Sequence, residues 1–290
     1  MNTELRHLRW ILTFVCLLLI TEAVKAQPWS RGGGGRSVYG DSRGGVPEWD
    51  VSPAFKHDTF TFVRIIYSSK SSRRGRGYGR GGGCWTDFPD SDLNFSFRLQ
   101  QLTAMKVAPE GVQLELSDPR LFDYPFLYMI EPGRLLFRES EVQALREYLL
   151  GGGFLMVDDF WGEDEWENFY VEIKRVFPNR EPEDITMAHP IFNTVFPLNE
   201  VLDEVPQIPS IRQAQRGRNE GRTWERSDAR DPHYRVITND KGRVMVIICH
   251  NTDLGDGWER EGEDEWYFRE FSEKKAYPLG INIVFYAMTH

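Results

Sequence analysis

Two carboxylates, Asp158 and Asp159, stand side by side directly after the apolar run Phe154-Leu155-Met156-Val157. Adjacent carboxylates beyond a buried strand can bind a divalent metal, accept hydrogen bonds from a sugar, or act as acid and base. They fit equally well as one helix cap and one solvated side chain. A second group follows residues 244–249, where HNTDLGDGW supplies His250, Asn251, Asp253, Asp256 and Trp258. His189 precedes Pro190 in AHPIF. One parallel sheet could bring His250, Asp253 and the Asp158–Asp159 pair to the same rim, a mixed histidine–carboxylate cluster of metal-ligand type. The spacing matches no known metal signature, and the aspartates also suit turns around Gly255 and Gly257. Trp85 and Asp87 lie two apart in WTDFP. An indole beside a carboxylate can stack on a sugar or peptide while the carboxylate binds it. The same pair suits a core Trp and a helix-capping Asp.

Other chemistries lack their residues. No Gly-x-Ser-x-Gly or Gly-x-Cys-x-Gly nucleophile elbow is present. Neither is a P-loop, a dinucleotide fingerprint or a His-Glu-x-x-His pair. Gly151-Gly152-Gly153 joins a helix to a strand, the wrong order for phosphate binding, and reads as a tight turn. Cys249 and His250 are strand neighbours whose side chains point to opposite faces, a poor nucleophile–base pair.

The elements that must position these groups alternate between strand and helix patterns. Strands are expected at 60–67 (FTFVRIIY), 112–116, 125–130, 153–157 and 244–249. The runs 125–130 and 153–157 are continuously apolar, as strands covered on both faces are. Helices are expected at 94–105 behind the cap candidates Ser91 and Asp92, and at 140–150 behind a Ser140–Gln143 capping box with Gly151 as left-handed cap. A third helix carries Trp166, Phe169, Ile173 and Val176 up to Pro178, and a fourth, 279–288, starts at Pro278. Alternation of this kind implies a mostly parallel sheet covered on both faces, with ligand sites beyond the strand carboxyl ends.

The N-terminus has the form of a cleavable export signal. Arg6 and Arg9 precede the apolar run 10–20, Glu22 and Lys25 end it, and Val24-Lys25-Ala26 suits cleavage after residue 26. That run is shorter than the ~20 residues of a membrane span. Residues 27–53 read as a flexible Gly/Arg-rich leader, 54–290 as one α/β domain, and 68–83 within it as a mobile basic loop. The expected location is periplasmic or extracellular, with no stable span after cleavage. Cys84 and Cys249 would be the only mature cysteines, either bridged or left as a loop thiol and a buried strand thiol. A net charge of −9 argues against nucleic acid as partner.

With these segments placed, four blocks show a resemblance. They are WTDFPDSDLNFSFRLQQLT (85–103), LFDYPFLYMIEPG (121–133), LREYLLGGGFLMVDD (145–159) and NTDLGDGWE (251–259), with GINIVFYAMTH (280–290) closing the chain. In this order they resemble an uncharacterised bacterial family, domain of unknown function 4159. The resemblance implies a flavodoxin-like, class I glutamine amidotransferase-like three-layer sandwich. A weaker likeness to trehalose-utilisation-type domains rests on the Gly-Gly-Gly and His-Pro-Ile blocks. True amidotransferases use a Cys nucleophile, whereas the matching position here holds Asp158 and Asp159, so amidotransferase activity is expected to be absent. The leading expectation is a non-catalytic exported module binding a carbohydrate, cell-wall fragment or protein partner, with Trp85, Asp87, Asp158, Asp159, His189, His250, Asp253 and Trp258 as candidate ligand residues. The alternative is a metal-assisted hydrolase using the Asp158–Asp159 pair with His189 or His250. No cofactor is expected under the first reading; a divalent metal belongs to the second.

Overall fold

The computed structural model describes residues 45–55, 58–69 and 83–290. The expected signal peptide, the leader up to residue 44 and most of the basic loop lie outside the described residues. Seven strands make one sheet: β1 (Val63–Ile66), β2 (Val112–Glu115), β3 (Phe126–Ile130), β4 (Phe154–Asp158), β5 (Glu183–Asp184), β6 (His233–Thr238) and β7 (Val244–His250). Their order is β2-β1-β3-β4-β7-β6-β5. β2, β1, β3, β4 and β7 run parallel, while β6 and β5 add an antiparallel edge. The mostly parallel α/β architecture is therefore as expected.

Every residue of β3, β4 and β7 is buried. Alternate side chains enter two separate cores, as the period of two requires. Phe126, Tyr128, Phe154, Met156, Ile247 and Cys249 face one core. Leu127, Met129, Leu155, Val157, Val246 and Ile248 face the other. Helix α1 (Asp90–Leu102), the short α4 (Leu254–Glu259) and the closing α5 (Tyr277–Thr289) contribute Phe95, Leu99, Trp258, Leu279 and Ile283 to the first. Helices α2 (Glu139–Leu150) and α3 (Gly162–Val176) contribute Val142, Leu145, Leu149, Phe169 and Ile173 to the second. The carboxyl ends of β1, β3, β4 and β7 consequently meet at one edge.

Several local expectations need correction. Ser91 and Asp92 lie inside α1, which begins at Asp90, so they do not cap it. Helix α2 begins one residue before Ser140, and Glu141 rather than Gln143 reaches back, accepting the Arg138 N–H at 2.6 Å. Its carboxylate is the stronger acceptor for a free amide at a helix start. Gly151 stays right-handed, and Gly152, at φ 121°, makes the left-handed turn. Pro278 stands in the first turn of α5, as expected, but that helix has no free start. A π-helix, Phe268–Ala276, runs straight into α5, with the Tyr277 N–H bonded to Ser272 O five residues back. The antiparallel strand β6 and the two-residue β5 had no expected counterpart. Cys84 and Cys249 are both buried and unbridged, and Cys84 sits in the 3-10 turn Gly83–Trp85 rather than a free loop. The leader is attached before Pro53: Val46 is buried and the Trp49 indole donates to Val107 O at 2.7 Å.

Gly153 leads into β4 directly beneath the Tyr148 ring, and a Cβ there would overlap the ring. Tyr148 is pinned by its hydroxyl, which donates to Tyr124 O at 2.8 Å. Gly153→Val should therefore lower stability by about 1–3 kcal/mol, the usual range for overpacking. In a Tyr148→Ala background the same change should cost clearly less, because the colliding ring is gone. Urea unfolding of the four proteins measures the coupling, and strict additivity would show that the collision is not the cause.

Candidate functional site

The strand ends deliver carboxylates. Glu131 follows β3, Asp159 follows β4, Asp253 follows β7 at the start of α4, and Asp87 stands just past the turn at 83–85, between β1 and α1 in the chain. Asp87, Glu131 and Asp159 carry positive φ values of 60°, 49° and 56°. L-residues adopt that conformation only when their surroundings impose it, and such residues gather at functional sites. The four side chains line a cleft of about 430 Å³, with Trp161, Glu165, Ser210, Glu225, Asp256 and three arginines completing the wall.

Buried polar groups hold these turns in place. Arg64, fully buried on β1, donates through Nε to Asp92 Oδ2 at 3.0 Å and through Nη2 to Ser91 Oγ at 2.9 Å. Its Nη1 donates to Thr86 O at 2.9 Å and to Cys84 O at 3.3 Å. The guanidinium thus fastens the backbone just before Asp87 to the start of α1. Asp158 Oδ2 accepts from the Tyr128 hydroxyl at 3.0 Å, Leu254 N at 2.9 Å and Gly255 N at 3.1 Å. It ties β4 to the N-terminus of α4, where an anion is favoured. Asn251, at φ 61°, accepts from Gly162 N at 2.8 Å and donates to Asp231 O at 2.9 Å.

Within the cleft, oxygens of Asp87, Asp159 and Asp253 all lie within 4.8 Å of one another. Asp159 Oδ1 accepts from the Trp161 indole at 2.9 Å, and Asp253 Oδ1 from Asp256 N at 2.7 Å. Asp87 Oδ2 is sealed from solvent and accepts no hydrogen bond. Burial first, then repulsion by neighbouring carboxylates, pushes all three carboxyls well above the usual range; for Asp87 the repelling groups are Asp256 and Glu259. Burial also pushes Asp158 up, to about 7, against its hydrogen bonds. A second trio, Asp87, Asp256 and Glu259, shares Asp87. There Arg260 Nε lies 2.6 Å from Glu259 and 3.5 Å from Asp256. Among the described residues, no comparable ion pair reaches Asp159 or Asp253.

The sequence candidates therefore divide. Asp87, Asp159 and Asp253 come together. Asp158 lies beneath them, fully buried, as a tether. Trp258 is 1 % exposed and packs on Phe95 in the core. Trp85 is half-buried against Phe88, 5.4 Å between ring centres, and is not part of the cleft wall. His189 lies elsewhere, its Nδ1 accepting from Ile191 N and its ring against Tyr286. His250 Nε2 donates to Gly162 O at 3.1 Å while Arg235 Nη1 approaches Nδ1 at 3.3 Å, and its ring stacks on Trp166. Among the described residues no histidine joins the carboxylates, so the expected cluster of His250 with Asp158, Asp159 and Asp253 does not form. Glu131 was not singled out, although it directly follows an apolar strand just as Asp158 does. Glu225 lies in a stretch without periodic pattern and gave no signal.

The sequence profile described as "Domain of unknown function (DUF4159)" matches residues 62–288. The chain belongs to this family. None of the curated proteins compared with the chain matches it. The matched span of DUF4159 contains Asp87, Glu131, Asp159 and Asp253 together with Arg64 and Asp92.

Removing Arg64 leaves Asp92 buried without its partner. Arg64→Met should cost about 3–5 kcal/mol, whereas Arg64→Met with Asp92→Leu should recover most of it. Equal losses in the single and double variants, measured by urea unfolding, would refute the pairing argument. His250 yields a pH dependence. Burial lowers its pKa to about 3, so the folded protein excludes a proton that the unfolded chain takes up below about 6.5. Its contribution is complete above that value and is lost as pH falls toward 3. Between pH 6.5 and 5 the loss is about 2 kcal/mol. His250→Gln should show a correspondingly shallower stability decline over that interval, and parallel curves would exclude His250 as the source.

Proposed function

We propose that this domain is a binding module, working outside the cytoplasm after signal cleavage, whose acidic cleft takes a small hydroxyl-rich ligand. A carbohydrate or cell-wall fragment has that chemistry. The observation carrying the reading is the cleft: about 430 Å³, at the strand carboxyl ends, walled by carboxylates, three arginines and Trp161. Its size falls in the range of small-molecule sites. Carboxylates accept strong hydrogen bonds from hydroxyls. A protein partner reaching the same rim is the other occupant of this reading.

The metal-assisted hydrolase remains the second reading, and less supports it. Asp158 is held by Tyr128 and two backbone amides, and the imidazoles of His189 and His250 are engaged away from the cleft. The fold is proposed to be flavodoxin-like, of the class I glutamine amidotransferase type. The order β2-β1-β3-β4, continued by β7, supports this. In that comparison Asp159 stands near the place of the amidotransferase cysteine, so the proposal includes no amidotransferase activity.

The test is a glycan and cell-wall-fragment array followed by calorimetry on wild type and Glu131→Gln. At least one glycan class should bind, and Glu131→Gln should weaken it about tenfold or more, as loss of a charged hydrogen bond does. No binding of any fragment at millimolar concentration would sink the reading. Unchanged binding in Glu131→Gln would place the ligand elsewhere.

A further inference from the structure

We infer that the cleft holds one divalent cation of the hard, oxygen-seeking type, magnesium, manganese or calcium, with Asp87, Asp159 and Asp253 as its protein ligands. This shares the cleft with the binding reading above but stands on the cation alone. Oxygens bound to one such ion stand roughly 3–5 Å apart, given bond lengths near 2.0–2.6 Å. The three aspartates, whose oxygens lie within 4.8 Å of one another, already meet that requirement. Asp159 and Asp253 closely follow the ends of β4 and β7, and Asp87 follows a turn that the Arg64 guanidinium holds to the start of α1, so the approach of the three is set by the sheet edge and its tethers.

The charge balance points to an occupant. Asp159 and Asp253 are 8 % and 5 % exposed. Carboxylates so buried normally find a cation or a full set of donors. Here each has one oxygen bound by a local donor, from Trp161 and from Asp256 N, and neither has an ion pair among the described residues. Asp87 Oδ2 and Asp158 Oδ1 are closed to solvent and accept no hydrogen bond. The neighbouring trio of Asp87, Asp256 and Glu259 differs because Arg260 already lies against two of its members. Uncompensated negative charge is thus concentrated on the Asp159 and Asp253 members of the first trio. Its donors are oxygen only. The soft or borderline ligands near the trio in sequence are turned away: Cys84 and Cys249 face the two cores, and His250 faces Gly162. Such a donor set suits hard cations rather than zinc.

Binding to the folded state alone raises stability by mass action. The experiment is therefore thermal melting of the mature chain in chelator and then in millimolar magnesium, manganese, calcium or zinc, with calorimetric titration of the stabilising ion. We expect one of the hard cations to raise Tm by several degrees with one ion per chain. Asp159→Asn and Asp253→Asn should each abolish that shift. In chelator both variants should melt at or above the wild-type temperature, because one of three converging charges is gone. That outcome separates loss of a ligand from loss of a structural contact. Glu259→Gln, in the Arg260-compensated trio, should keep the full shift. The inference is overturned if no hard cation moves Tm, if the shift survives in Asp159→Asn and Asp253→Asn, if Glu259→Gln removes it, or if zinc alone acts. Any of these results is independent of whether a glycan binds.

Discussion

A guanidinium with no access to water sits under the carboxylate cleft, and the site geometry depends on it. Arg64 interrupts an otherwise apolar strand and is completely buried. Its donors reach Asp92, Ser91 and the carbonyls of Cys84 and Thr86. Desolvating a buried pair offsets much of its Coulomb attraction, so the pair is not simply a source of stability. What it supplies is position. The chain leaving β1 must turn toward α1, and a fork of fixed geometry selects one path for residues 84–92. Asp87 takes its positive φ on that path and is delivered to the cleft.

The remaining turns obey the same constraint, that like charges converge only when the backbone leaves no alternative. Asp158 bonds to the first amides of α4 and so draws the loop after β7 toward β4. Asn251 links that loop to Gly162 at the head of α3. Asp253 and Asp159 are then neighbours whatever their mutual repulsion. Three non-glycine residues of positive φ, Glu131, Asp159 and Asn251, directly follow β3, β4 and β7, and a further one, Asp87, follows the turn at 83–85. Strain spread over independent connections, each tied by its own hydrogen bonds, marks a shape enforced by the whole sheet edge.

Legibility in the sequence followed burial. The strands 126–130, 154–158 and 244–250 were readable because both faces are covered and the apolar runs are unbroken. β6 was not, since its alternating burial interleaves His233, Arg235 and Thr238 with core residues. The rule that sites follow strand ends pointed to Asp158 and Asp159, of which Asp159 lines the cleft, but not to their division of labour. A shift of one residue along a strand reverses the side-chain face. Which aspartate is the tether and which faces the cleft depends on where β4 stops, and no periodicity within the strand sets that. Arg64 was opaque for a different reason: one charged residue does not alter a strand pattern, and its partner lies 28 residues away.

The turn after β4 also bears on what chemistry this edge can support. A nucleophile at a strand-to-helix turn works in acyl transfer only if backbone amides remain free to receive the developing oxyanion. Here Trp161 N donates to Glu165 Oε2 at 2.9 Å and Gly162 N donates to Asn251 Oδ1 at 2.8 Å. Both amides are saturated by side chains of the same protein. The Asp159 carboxylate is braced by the indole of Trp161 and faces other carboxylates. An oxyanion formed there would meet negative charge where stabilisation requires donors. These two amides are turned inward to hold the loops, while the Asp159 carboxylate faces the other acidic groups of the cleft. A nucleophile on this turn would therefore receive no help from either amide.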